Sequence, residues 1–335
     1  MSKILDALHQ KNFAPPPIWM MRQAGRYLPE YRKLKGSRSL YEMFHDPNTI
    51  IEVTLQPIKR LHTDAAILFS DILTVLDGLG VSYEFQEGIG PVVAPFSPPL
   101  SLRPPHETYA PITHAIKELR NALPVPLLGF AGAPFTVACY LIEGKTSHDQ
   151  KKTKQMLMRD PQGFSKLLDV ITEATIAYLQ EQVNAGVQAI QLFDSWANVL
   201  SLEDFRKCSL QPMEKILQAV DVPVILFCRG SCFFAEELAS IKPAGISLDW
   251  SGEIAEIRKR VGPGITLQGN LDPMVLYGSK QEIAKRVDPI LESMEGDPAF
   301  IFNLGHGLLP DIPVENVEFL VDYVHNHARA RTEVS

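Results

Sequence analysis

The chain has 335 residues, 45% of them hydrophobic and 21% charged, with a formal net charge of −7. That much apolar sequence can bury the core of one barrel-sized domain spanning residues 1–335. The acidic balance, without any long lysine or arginine run, argues against nucleic acid and anionic membrane as partners, and no apolar run reaches the roughly 20 residues of a membrane span.

At the N-terminus, MSKILDALHQKNF carries Asp6 inside its apolar pattern and has no cleavage-like site, so it reads as a short amphipathic helix of a cytoplasmic protein. Pro15, Pro16 and Pro17 stiffen the approach to the first of eight apolar runs. These are IWMM (18–21), AAILFS (65–70), PLLGFA (126–131), AIQLF (189–193), PVILF (223–227), GISLDW (245–250), ITLQG (265–269) and AFIFNL (299–304). Continuous rather than alternating hydrophobicity predicts parallel strands covered on both faces. Helical periodicity lies between them, as in NTIIEVTLQPIKRLH, HETYAPITHAIKELRNAL, FSKLLDVITEATIAYLQEQVNA, LEDFRKCSLQPMEKILQAV and QEIAKRVDPILESM. Strand then helix, repeated eight times, predicts an α/β fold of the closed (β/α)8 TIM-barrel kind, with a doubly wound open sheet as the alternative. Val81 to Pro105 is too long for a barrel connection. There VSYEFQEGIGPVVAPF alternates like a hairpin around Gly88 and Gly90, and the Pro-rich FSPPLSLRPPHE reads as a loop, so a hairpin and loop insertion is expected after the second strand. Cys139, Cys208, Cys228 and Cys232 read as free thiols.

In a barrel the reacting groups stand at the C-terminal strand ends, and polar residues fall there throughout this chain. The first run is followed by Arg22, Gln23, Arg26 and Tyr27, the second by Ser70 and Asp71, and the third by GAPFT leading to Tyr140. After the fourth come Asp194 and Ser195, after the fifth Arg229, and the sixth run ends on Asp249 and Trp250. Asn270 and Asp272 follow the seventh; Asn303 ends the eighth, and His306 sits in the GHG turn beyond it. Any one of these can be a helix cap, and Ser70, Ser195 and Asp272 suit that role. Taken together they are an excess of donors around few carboxylates, which predicts an anionic ligand. Arg22 and Arg26 share a face if their segment turns helical, and each offers a planar fork for a carboxylate or phosphate. The alternative is a solvated turn whose arginines pair with Glu30 or Asp46. GKT at 144–146 is not a phosphate loop, because Cys139 stands where its first glycine belongs; GIG at 88–90 and GPG at 262–264 lack a third glycine.

Seven segments carry a resemblance that covers nearly the whole chain: MRQAGRYLPEYR, LFSDIL (68–73), GAPFTVACYLIEG (132–144), LFDSW (192–196), LDW (248–250), QGNLDP (268–273) and NLGHGLLPD (303–311). In this order they resemble the uroporphyrinogen decarboxylases, which convert the four acetate side chains of a cyclic tetrapyrrole into methyls. The resemblance implies a single TIM barrel and a homodimer, with no metal or organic cofactor. The reaction it implies turns uroporphyrinogen III into coproporphyrinogen III and carbon dioxide. It further implies that Arg22, Arg26, Tyr140, Ser195 and His306 bind the carboxylates of the tetrapyrrole, with Asp71 beneath its centre; Gln23, in the same turn as the two arginines, is read as a further substrate-binding residue, and Phe193, before Asp194 and Ser195, as cavity wall. Where such proteins commonly carry a further arginine after PEYR, this chain has Lys35.

The chemistry suits those parts. Loss of carbon dioxide from an acetate leaves a carbanion, which most enzymes stabilise with a pyridoxal ring or a metal. A reduced tetrapyrrole can be its own electron sink once a pyrrole carbon is protonated. Asp71 can accept hydrogen bonds from the pyrrole N–H groups and stabilise that positive charge, its alternative being a cap or an ion-pair partner of Arg26. Arg22 beside the departing carboxylate is the candidate for protonating the methylene, and Tyr140 is either wall or phenolic donor. Two other classes fit less well. A zinc-dependent corrinoid methyltransferase needs His-x-Cys after a strand, and only LFCRGSC with Cys228 and Cys232 stands at the fifth. A tetrapyrrole carrier would need the grip without Asp71.

Overall fold

The computed structural model describes residues 2–12, 15–95 and 99–332. Parallel strands β1 (Ala66–Ile67), β4 (Leu127–Gly132), β5 (Ala189–Asp194), β6 (Val224–Cys228), β7 (Gly245–Ser247), β8 (Thr266–Leu271) and β9 (Phe300–Leu304) form one sheet in that order, and β2 (Tyr83–Gln86) pairs antiparallel with β3 (Gly90–Val93). Neighbours in sequence are neighbours in space across the whole sheet. A doubly wound sheet reverses its order at a switch point, so that alternative is excluded.

The sheet curls. Ile67 of β1, Leu128 and Phe130 of β4, Ile225 and Phe227 of β6 and Ile301 of β9 share one buried cluster with Trp19 and Met21. The alternate residues, such as Leu127, Ile190, Leu226 and Phe302, pack in a second cluster under the helices. Both faces are therefore covered, which is why the strands read as unbroken apolar runs. The N-terminal helix, Lys3–Leu8, puts Ile4, Ala7 and Leu8 into the inner cluster, and the Thr266 hydroxyl donates to the Ala7 carbonyl at 2.8 Å. Thr266 begins β8, so this helix closes the sheet interior from the N-terminal strand ends.

The first expected strand is the main departure. Of IWMM, only Ile18 forms a β-bridge, parallel to Phe302. Side chains and prolines take the ladder's place here: Pro15 to Pro17 have no N–H, Ile18 N–H donates to Asp64 Oδ2 (2.8 Å), Met20 N–H to Gln23 Oε1 (3.2 Å) and Met21 N–H to Asn303 Oδ1 (3.2 Å). The segment still sits between the sheet edges, since Phe302 N–H donates to Pro17 O (2.9 Å) and Asp64 N–H to Ile18 O (2.8 Å).

The hairpin pairs Tyr83 with Val93 and Gln86 with Gly90. Gly88 and Gly90 both take positive φ, +77° and +92°, as its tight turn requires. β3 docks on the segment after the Tyr140 helix, with Val93 N–H donating to Gly144 O at 2.8 Å. Part of the expected loop that follows, residues 96–98, lies outside the described residues. The helical stretches appear at Pro47–Leu61, Ala110–Ala122, Pro161–Ala185, Gln211–Ala219 and Lys280–Ser293. Before Gln211–Ala219 the backbone makes a π-turn, Arg206–Leu210, next to Pro212, which cannot donate the α-helical bond. The helix Pro134–Glu143 was not anticipated from the sequence; it is apolar all round and buried, so it has no stripe to reveal it.

Candidate active site

The chain leaves the sheet edge at Met21 and turns back through Arg22, which adopts φ +61°, a left-handed conformation uncommon for a side-chain-bearing residue. Gln23 is fully buried and its amide is taken up locally, accepting from Met20 N–H and donating to Ala65 O at 2.9 Å. The Tyr27 hydroxyl donates to Gln23 O at 2.6 Å. Gln23 and Tyr27 thus hold the turn, while Arg22 and Arg26 are exposed. The carboxylates that could have neutralised the two arginines serve others, Glu30 pairing with Arg60 (3.3 Å) and Asp46 with Arg38 (3.8 Å).

Asp71 lies four residues past β1. Its Oδ1 accepts from Leu73 N–H at 2.9 Å in a local turn, and Oδ2 takes no hydrogen bond from any described residue. Burial pushes the carboxyl up to about 6, opposed by the Leu73 N–H and by the nearby Arg22 charge. Arg22, not Arg26, is therefore the cation beside it, and its cap-like bond to Leu73 leaves half of the carboxylate unused. Tyr140 comes from Pro134–Glu143 and feels both Asp71 and Arg22. Burial raises its phenol above the ordinary value, while Thr146 and Trp196 pull it back. The Trp196 ring meets Tyr140 edge-on at 6.2 Å.

His306 closes the ring of groups. Burial and then repulsion from Arg22 and Arg229 lower it to about 4 against the pull of Asp249, so at neutral pH it is an uncharged imidazole with one donor and one acceptor nitrogen. Its ring stands edge-on to Phe227 (5.9 Å), Phe227 to Phe193 (5.9 Å) and Phe193 to Phe130 (5.7 Å), an aromatic wall rising from the sheet interior. Arg229, exposed after β6, lies 6.0 Å from the Trp196 ring centroid. Ser195 is half-buried, and its hydroxyl makes no hydrogen bond with a described residue.

Several polar strand ends are structural. Asp194 accepts from the Thr136 and Ser209 hydroxyls, each at 2.5 Å. Asp249 accepts from Gly230 N–H and Ser251 N–H, Asn270 donates to Asp249 O and Gly252 O, and Asp272 caps Met274. Ser70 bonds Thr74 and Tyr178. Among the described residues no three His, Cys, Asp or Glu side chains gather as a metal-holding group, and Cys228 and Cys232 are buried thiols.

The fold thus brings Arg22, Asp71, Tyr140 and His306 into one electrostatic neighbourhood beside Phe193. Gln23 is drawn inward, and Arg26 acts on Tyr31 rather than on that group. Lys35 ends the helix Pro29–Lys35. Trp196 and Phe227 pack against Tyr140 and His306 of this group, and the LFDSW segment carries the sequence signal for Trp196.

The model of the family described as uroporphyrinogen decarboxylase (URO-D) matches residues 1–327. The chain belongs to that family. A uroporphyrinogen decarboxylase of Protochlamydia amoebophila is 46% identical over 332 residues, covering 96% of this chain and 91% of the relative. One of Alkalilimnicola ehrlichii is 42% identical, covering 96% and 93%. Among solved structures, a methyltransferase from Methanosarcina mazei superposes with a TM-score of 0.83 at 21% identity, over 97% of this chain and 98% of the other, a likeness of fold alone.

Proposed function

We propose that this chain is a carboxy-lyase that removes carbon dioxide from the four acetate side chains of uroporphyrinogen III, giving coproporphyrinogen III without metal or organic cofactor. The observation that carries this reading is the unused Asp71 carboxylate oxygen beside Arg22, Tyr140 and His306, in a chain of this family. Asp71 accepts hydrogen bonds from the pyrrole N–H groups and stabilises the pyrrolium cation formed when a ring carbon is protonated. That cation draws the electron pair of the breaking C–C bond, carbon dioxide leaves, the methylene takes up a proton to become a methyl, and the ring carbon gives up the proton it gained, restoring the neutral pyrrole. Arg22 holds the departing carboxylate and delivers the proton that the methylene takes up; Arg26, Tyr140 and Ser195 hold the other carboxylates. His306, kept uncharged by burial and then by the Arg22 and Arg229 charges, contributes a neutral N–H donor to a substrate carboxylate. Phe193 and Phe227 exclude water beneath the ring.

The same reading takes residues 1–335 as one closed (β/α)8 barrel, the Ile18 segment completing the ring and the hairpin being an insertion after its second strand. It takes the enzyme to be cytoplasmic and homodimeric, with no nucleic-acid or membrane partner. No helix among the described residues is long and apolar enough to cross a membrane. The exposed Phe233, Trp250 and Met274, which follow β6, β7 and β8, support an apolar rim for a second copy. Purified protein given reduced uroporphyrinogen under chelation tests the chemistry. Release of carbon dioxide with coproporphyrinogen is expected; binding without release would select a carrier, and loss of activity restored by zinc would overturn the cofactor-free mechanism.

A further inference from the structure

The turn from Asn303 to Leu308 grips the chain at Arg22. Asn303 Oδ1 accepts from Met21 N–H at 3.2 Å, and Leu308 N–H donates to Met21 O at 3.0 Å, so the backbone before Arg22 is fixed from both of its polar groups. The left-handed φ of +61° at Arg22 then sets the direction in which its side chain departs. That side chain runs directly over Gly307. A Cβ built on Gly307 would lie 2.4 Å from Arg22 Cδ, 2.7 Å from Cγ and 3.0 Å from Nε. Gly307 itself is outside the left-handed region, so alanine is acceptable to its backbone, and the three nearest atoms such a methyl would meet all belong to Arg22. Gly305 is different: a Cβ there meets Trp250 N at 2.7 Å and the Asp249 carbonyl carbon at 3.0 Å, a backbone that cannot step aside.

We infer that Gly307 is a positioning residue for Arg22, its missing side chain forming the slot along which the arginine stem reaches the site. Cγ and Cδ are close to the fixed backbone, so displacing them changes the rotamer and swings the whole guanidinium. The inference rests on the reading that Arg22 acts on the substrate, and it accounts for the last glycine of the GHG turn in terms of that one side chain.

The test compares Gly307→Ala, Arg22→Ala and the double variant. Gly307→Ala is expected to fold and to lose on the order of 10- to 100-fold in kcat/KM, the range a misplaced catalytic group commonly costs. In the Arg22→Ala background the same methyl should change neither turnover nor Tm, because the three atoms nearest to it are gone. A second readout needs no substrate. His306 is held down by burial first and then by Arg22 and Arg229, and pulled up by Asp249, so moving the Arg22 charge away should raise the His306 titration midpoint, followed by NMR of its ring protons. Gly307→Ala should raise it alone and add nothing to Arg22→Ala. Unchanged turnover and an unchanged His306 midpoint in Gly307→Ala would overturn the slot, as would equal losses with and without Arg22. Full turnover by Arg22→Ala would instead remove Arg22 from the reaction, and the His306 midpoint would then decide the slot by itself.

Discussion

Two aspartates stand at C-terminal strand ends of one sheet, and burial raises both carboxyls to about 6. Asp194 ends β5 with both oxygens engaged: Oδ1 by the Thr136 hydroxyl, Oδ2 by the Ser209 hydroxyl, and Thr136 Oγ1 in turn accepts from Trp196 N–H at 3.1 Å. It ties β5 to the Tyr140 helix and to the π-turn. Asp71 follows β1 with one oxygen bonded to Leu73 N–H and the other without a donor among the described residues, next to Arg22. Equal perturbation therefore separates nothing by itself. What separates the two is acceptor capacity left open toward a charged partner, and that is what makes Asp71 rather than Asp194 the candidate for the proposed chemistry.

The comparison is broken most directly by exchanging carboxylate for amide at Asp71. Asp71→Asn keeps the shape and the Leu73 contact through its carbonyl oxygen but removes the charge and puts N–H donors where pyrrole donors must bind. Turnover at saturating substrate should fall on the order of 10²–10³ in a protein that still folds and melts cooperatively, and Asp71→Glu should lie between the two. A folded Asp71→Asn protein with near-normal turnover would leave Asp71 a turn cap. Asp194→Ala should show the opposite balance. It orphans the buried Thr136 and Ser209 hydroxyls, which costs about 2–4 kcal/mol in a urea titration, while activity per folded molecule falls far less than in Asp71→Asn. A smaller effect is expected at Arg26. Arg26→Lys keeps the charge and loses the fork, so substrate should bind about tenfold more weakly and partially decarboxylated products should accumulate.

Residue patterning carried most of the fold and about half of this distinction. Runs such as PLLGFA and PVILF could only be strands buried on both faces, and their spacing set the sequential order of the sheet. IWMM carried the same pattern, yet its ladder donors went to Asp64, Gln23 and Asn303 side chains, partners that no local pattern reveals. Strand-end polarity pointed at the C-terminal end of the sheet, where Arg22, Asp71, Tyr140 and His306 come together, but it could not tell open donors from those already engaged. Gln23, Asn270 and Asp249 carry the same kind of label as Arg22 and Asp71, and only three-dimensional partners separate them. The role of Gly307 was likewise invisible, because a slot exists only relative to the side chain that fills it.

The least forceful difference between the two aspartates is in stability, and pH exposes it. Asp71 titrates near 6 in the folded chain against an ordinary 3.8, so its contribution to stability is fully present below about 3.8 and lost as pH rises through 6. His306 runs the other way: lowered from 6.5 to about 4, it favours folding above 6.5 and loses that contribution as pH falls toward 4. The two oppose each other between pH 4 and 6.5, and Asp194 adds to the Asp71 side, so the wild-type profile alone is shallow and does not resolve them. Subtraction does. Asp71→Asn cannot ionise, so its Tm relative to wild type should be lowest near pH 4, climb through pH 6 and level off by about pH 7.5. The total gain should be on the order of 1–3 kcal/mol, a few degrees for a chain of this size. A difference that stays constant with pH would mean that Asp71 titrates as a solvated carboxylate and that its half-open site is already satisfied by water.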